Sequence, residues 1–254
     1  MARKETYFGK HRTELQEQRQ LLPKVQITAE QKLSFEQGRV LLIDKEKHWT
    51  SFDAVRKVRN TIQIKKVGHA GTLDPLATGL LIICTGKFTK NINEYMAAEK
   101  EYTGTITFGS TTPTYDLESE PENFVSAGHI TIDMIRAAAA KLTGDILQKP
   151  PIFSAIKKDG EALYTLARRG EDVDLAPRPV TINTFDIHDF SEGVASFRVV
   201  CSTGTYIRSL AHDIGQLLGC GAHLSALRRT RIGEYNVENA QTLLAFLEAL
   251  HQNG

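Results

Sequence analysis

The segment Lys65-Lys-Val-Gly-His-Ala-Gly-Thr-Leu-Asp-Pro-Leu-Ala-Thr-Gly79 holds the residues best suited to chemistry. Asp74 precedes Pro75, whose ring drives the residue before it out of the α region and into an extended or turn conformation. Gly68, Gly71 and Gly79 permit tight backbone paths on either side. A carboxylate on a glycine-bracketed loop, just ahead of the apolar run Leu80-Leu-Ile-Ile-Cys84, stands where a catalytic group can act. The same Asp-Pro pair also closes ordinary turns, and from local features alone the turn is the stronger reading.

Other charges add to this segment. Between positions 54 and 73 lie Arg56, Lys57, Arg59, Lys65 and Lys66 with no acidic residue, a local basic patch suited to phosphates. Arg228-Arg229-Thr-Arg231 forms a second cluster. Either cluster alone reads equally as a solvated face. Arg208 lies on the polar side of an amphipathic run, and positions 204, 205, 211 and 212 are Gly, Thr, Ala and His. No carboxylate therefore stands at helical spacing, so its partner is distant or it faces solvent. Tyr102 opens a strand pattern, as a core-edge tyrosine or as a platform for a base.

Several chemistries are absent. Gly219-Cys-Gly221 lacks the third glycine of a dinucleotide loop, and there is no G-x-x-x-x-G-K-[ST], G-x-S-x-G or H-E-x-x-H. No nucleotide cofactor and no metal is expected. Cys84, Cys201 and Cys220 form no C-x-x-C pair and read as reduced intracellular thiols. The charged start of the chain is no secretion signal, and the apolar run at 80–84 is far short of the roughly 20 residues that span a bilayer. A cytoplasmic protein without membrane association is expected. The 254 residues carry 31 Lys and Arg against 30 Asp and Glu, a formal net charge of +1. Any polyanion must then be met by local clustering.

The elements that must position these residues follow from periodicity. Strands are predicted at Val40–Asp44, Leu80–Thr85, Tyr102–Phe108, Val180–Phe190 and Val194–Cys201, the last two as a hairpin through Ser191-Glu-Gly193. Thr50-Ser-Phe-Asp53 resembles a capping box opening a helix through Asn60. Further helices are predicted at 131–142, at 207–218 before Gly219, and at about 240–250. Strands and helices in irregular order favour an α+β domain. Residues 1–38, rich in Gln and charge, read as an N-terminal extension, and 39–254 as one domain.

Taken in order, six segments resemble the TruB family of bacterial tRNA pseudouridine-55 synthases. They are Leu41–Lys45, Gly68–Gly79, Lys100–Tyr102, Lys149–Lys157, Gly204–Arg208 and Gly219–Arg229. The resemblance implies a pseudouridine-synthase-like fold, a mixed and largely antiparallel sheet flanked by helices with an RNA-binding cleft. It implies an isomerase that converts the T-arm uridine of tRNA, flipped out of its stack, to pseudouridine. Asp74 would be the nucleophile, attacking either the ring or the glycosidic carbon; its ordinary pKa of about 3.9 keeps it ionised without a separate base. Arg208 would pair with it, Tyr102 would stack on the target base, and His69 would support the RNA where the base has left. Lys45 and Leu227 would line the pocket, with Arg56, Lys57 and Lys66 as a phosphate track. No cofactor is implied, and the chain would act as a monomer.

The chain departs from the family pattern at Glu46-Lys-His48, where Pro-x-Gly is usual, and at Thr112-Pro-Thr114, where Thr-Asp-Thr is common. No separate C-terminal RNA-binding domain is expected. The rival readings are a non-catalytic RNA-binding or tRNA-folding module of the same fold and an aspartyl-phosphate enzyme. Asp74-Pro-Leu-Ala lacks the second acid that many of the latter use. Positive charge should line the cleft around Asp74, with the acids of 116–122 and 171–174 away from the RNA.

Overall fold

The computed structural model describes residues 22–23, 25–154, 157–158, 161–162, 169 and 175–252. The acidic stretch 171–174, residues 155–156 of the Lys149–Lys157 motif and most of the start of the extension lie outside these. The chain divides into two compact units, Met1–Tyr102 with Leu227–Gly254 and Thr103–Ala226.

In the first unit the strand order is β12-β1-β3-β10, with β1 Val40–Lys45, β3 Thr78–Thr85, the part of β10 (Ala222–Ile232) from Leu227 onward, and β12 Gln241–Thr242. β1 runs antiparallel to β3, and β3 is parallel to β10. The short strands β2 Val67–His69 and β11 Tyr235–Asn236 join β3 and β10. The run 80–84 explains why β3 sits inside, since each of its five side chains is fully buried. Leu81 and Ile83 face one core with Phe35, Val58, Ile62 and Leu247, while Leu80, Ile82 and Cys84 face another with Ala70 and Ile232.

Helices cover the first of these faces. α1, Ala29–Gln37, opens on a full Thr28–Gln31 capping box and buries Phe35. The described end of the N-terminal extension therefore packs into this core. α2, Ser51–Ile62, is capped by the Thr50 side chain on the Asp53 amide and buries Ala54, Val55, Val58 and Ile62 at helical spacing. The unit also holds α3, Ile92–Ala97, and α6, Leu243–Gln252.

In the second unit the part of β4 (Lys100–Phe108) after Tyr102 lies beside β9 (Val194–Cys201). β8 (Arg178–Ser191) and β5 (Gly144–Gln148) follow. The β8–β9 and β5–β8 pairings are antiparallel. The predicted hairpin forms, with Glu192 and Gly193 both at positive φ, 51° and 78°, as a tight primed turn requires. α4 (Ile132–Lys141, capped by Thr131) packs on β8 and on α5, Ile207–Leu217. Two short strands, β6 Lys157–Lys158 and β7 Glu161–Ala162, pair with each other. The result is the expected mixed, largely antiparallel architecture with flanking helices.

Gly79 is the position where the backbone has least freedom. Its φ is +101°, and an added Cβ would lie 2.3 Å from the Arg229 carbonyl oxygen. Gly79→Ala is expected to lower unfolding free energy by more than about 2 kcal/mol, because strain and overlap add at one site. Urea denaturation checks this, and an unchanged midpoint would contradict it.

Candidate active site

Asp74 lies half-buried on the loop between β2 and β3, and the main chain of that loop is held almost residue by residue. The Ala70 amide donates to the Ile82 carbonyl, and Arg229 Nη2 donates to the Gly71 carbonyl at 3.1 Å. Ser51, the first residue of α2, accepts from the Leu73 amide at 2.9 Å and donates to the Leu73 carbonyl at 3.2 Å. The Ala77 amide closes a turn on the Asp74 carbonyl, and the Pro75 carbonyl accepts from the His48 amide at 2.8 Å. A loop so pinned presents its carboxylate in one geometry, which catalytic preorganisation requires.

Two buried cations do much of this holding. Lys45 ends β1, is 2% exposed, and donates to the carbonyls of Trp49 at 2.7 Å, Glu46 at 3.0 Å and Pro75 at 3.4 Å. Burial draws its pKa down to about 7, with Asp74 pulling it up and Arg229 pushing it further down. Arg229, 1% exposed, also donates from Nε to the Leu80 carbonyl at 2.8 Å. The departure at Glu46-Lys-His48 leaves this arrangement intact. His48 takes a left-handed φ of 72°, natural to the glycine usual there, and spends its amide on Pro75.

The other expected residues of this unit fall as follows. His69 is on β2, partly buried, and burial followed by the charge of Arg229 lowers its pKa. Tyr102 is buried on β4. Leu227 is partly buried on β10, and its carbonyl accepts from Thr78 Oγ1 at 3.4 Å. In the basic stretch, Arg56 is ion-paired with Asp53 and its guanidinium lies over the Phe52 ring. Lys57 reaches the Pro23 carbonyl, whereas Lys65 and Lys66 are exposed.

The arginines of the second basic cluster are each engaged within the protein. Arg228 forms a two-pronged pair with Asp44 at 3.0 and 2.7 Å, Arg229 is buried, and Arg231 binds Glu99 at 2.7 Å beside Glu101. β10 turns each of these arginines to an internal acid or carbonyl, which a count of charges along the sequence does not register.

Arg208 belongs to the second unit, at the start of α5, and does not face solvent. It is 5% exposed, donates to the carbonyls of Thr114 and Phe153 at 3.1 Å each, and holds its Nε 3.7 Å from Asp116 Oδ2. Asp116 is thus a buried partner of Arg208. Its other oxygen accepts from the Glu118 amide at 3.0 Å. Sequence reading missed Asp116 because it was counted with the acids after it; the clue available was its place just beyond the unusual Thr112-Pro-Thr114. Among the described residues no group of His, Cys, Asp and Glu could hold a metal ion.

The profile of the TruB family pseudouridylate synthase N-terminal domain matches residues 59–207, and that of the tRNA pseudouridylate synthase B C-terminal domain matches 208–253. A relative from Flavobacterium johnsoniae named tRNA pseudouridine synthase B is 52% identical over 84% of this chain and 96% of its own. The chain belongs to the TruB family. A second tRNA pseudouridine synthase B, from Phocaeicola vulgatus, is 47% identical over 87% of this chain and 96% of its own. Among solved structures, a Cbf5–Nop10–Gar1 complex matches with a TM-score of 0.67 at 29% identity, covering 86% of this chain and 56% of that one. An H/ACA ribonucleoprotein bound to a substrate RNA containing 2′-deoxyuridine matches at 0.64 and 27%, covering 87% and 55%. The present chain therefore spans little more than half of those two.

In the second unit, Asp213 lies partly buried on α5. Burial raises its pKa from 3.8 to about 6. The folded state then holds the proton more tightly than the unfolded chain, so stability present below about pH 4 is lost as pH rises through 6. Asp213→Asn cannot ionise, so its stability relative to wild type should rise between pH 4 and 7. Denaturation midpoints across that range check this; a constant difference would contradict it.

Proposed function

We propose that this chain converts uridine 55 in the T-arm of tRNA to pseudouridine, with Asp74 as the nucleophile. The activity class follows from TruB-family membership and from relatives named tRNA pseudouridine synthase B at up to 52% identity. The observation that carries the residue assignment is the pinned loop. A half-buried aspartate in the Gly68–Gly79 motif sits on a main chain tied to α2, β1, β3 and β10.

The reaction is an isomerisation, with no cofactor implied. The bond from uracil N1 to the ribose C1′ breaks, the ring turns, and C5 bonds to C1′. The C5 proton is lost and N1 gains one, so nothing is added overall. The Asp74 carboxylate attacks the ring or C1′ and is released when the new bond has formed. Tyr102 stacks on the base, Lys45 and Leu227 line its pocket, and His69 supports the RNA at the vacated position. Arg208 keeps the family role of countering carboxylate charge. The flipped base costs a few kcal/mol of unstacking, offset by pocket contacts. Recognition of the stem–loop is by shape and backbone, with exposed Lys65 and Lys66 and the α2 cations Arg56 and Lys57 as phosphate contacts. We further infer a cytoplasmic monomer; the three cysteines are free and buried, and no helix among the described residues is long and apolar enough to cross a membrane.

Asp74→Asn is expected to abolish pseudouridine formation while tRNA affinity stays near wild type. Mapping labelled pseudouridine in treated tRNA, alongside a binding titration, tests this. Equal modification by the two proteins would overturn the assignment of Asp74, whereas no modification by the wild type would favour the RNA-binding module. Lys66→Ala should reduce the slope of log affinity against log salt by about one. An unchanged slope would remove Lys66 from the phosphate path.

A further inference from the structure

The loop that serves Arg208 contains an unusual residue. Thr114 gives Arg208 its carbonyl and Asp116 its carboxylate, and between them Tyr115 has a left-handed φ of 62°. A residue with a Cβ is strained there and stays only when its surroundings hold it. Rotation about the N–Cα bond of Tyr115 swings the Thr114–Tyr115 peptide plane relative to Asp116. The conformation of Tyr115 is therefore one determinant of the geometry between Arg208's two partners.

The Tyr115 ring is held against α5. It stacks on the His212 imidazole with centroids 4.0 Å apart and planes 12° from parallel. His212 stands four residues after Arg208, one turn along the same helix, so the residue that needs the loop and the residue that clamps it share one rigid rod. His212 Nδ1 is buried and makes no hydrogen bond, so the ring's contact with Tyr115 is one of stacked faces. The main chain is tied as well, the Tyr115 amide donating to the Thr112 carbonyl at 3.1 Å and its carbonyl accepting from the Leu224 amide at 2.9 Å, so the ring stack adds a side-chain clamp to a backbone already held in this turn.

We propose that the Tyr115–His212 stack is a positioning pair for Arg208, locking the left-handed residue so that the Thr114 carbonyl and the Asp116 carboxylate meet the guanidinium together. This rests on the reading of Arg208 as part of the site. Acting through Arg208 as positioning residues, the pair should affect kcat and not KM.

The test is steady-state pseudouridine formation on tRNA by the full chain. Tyr115→Ala and His212→Ala should each lower kcat about tenfold with KM near wild type, as expected for small misplacement of a site group. Tyr115→Phe, which keeps the ring, should restore kcat to within about twofold of wild type. The double alanine variant should be no slower than the slower single one, because both remove the same contact. Tyr115→Gly takes positive φ without strain and covers the case in which the alanine variants fail to fold; it too should be slow. Wild-type kcat in Tyr115→Gly, losses that multiply in the double variant, or Tyr115→Phe as slow as Tyr115→Ala would each overturn the proposal. Arg208→Lys run in parallel separates the two readings. A wild-type rate there removes the role of Arg208 itself, whereas a slow Arg208→Lys beside a wild-type Tyr115→Gly removes the stack alone.

Discussion

A cation taken out of water must have its donors matched, and the loops of this protein are arranged around that requirement. An unmatched buried charge costs several kcal/mol, so wherever Lys45, Arg229 and Arg208 sit, carbonyls must face them. The facing carbonyls come from the segments proposed to carry the chemistry: Pro75 for Lys45, Gly71 and Leu80 for Arg229, Thr114 and Phe153 for Arg208. The cations thus act through the main chain, making irregular loops as fixed as strands.

That arrangement explains why the scaffold is built as it is. β3 is apolar on both faces because it is the floor on which the Asp74 loop rests, and Gly79 at its start leaves room for Arg229 on the neighbouring strand. α2 begins at the loop and buries its apolar face beneath it, so the Ser51 hydroxyl clamps Leu73 at both ends of its peptide unit. In the second unit α5 takes the corresponding part, carrying Arg208 in its first turn and His212 in its second.

Much of this was legible in the sequence where a local rule governs. The 80–84 run, the Thr50 cap, the 207–218 periodicity and the hairpin through Ser191-Glu-Gly193 each depend on near neighbours, and each has its counterpart in the structure. The Asp74 loop was legible through glycine and proline spacing together with family resemblance. What was not legible depends on pairing across the fold. Arg228 and Arg231 look like a basic patch until strand pairing delivers Asp44, Glu99 and Glu101 to them. Asp116 looks like one acid among several until Arg208 meets it. α1 was hidden because its only deep anchor is Phe35, too little to show a periodicity.

The dependence of catalysis on these buried cations is most directly tested by the single-turnover rate of pseudouridine formation in tRNA with Arg229→Met. Methionine keeps the apolar bulk but withdraws the donors from Gly71 and Leu80. The expected result is a folded chain that binds tRNA near normally and turns over markedly more slowly, with the Asp74 loop no longer fixed. A wild-type single-turnover rate from the folded variant would contradict it.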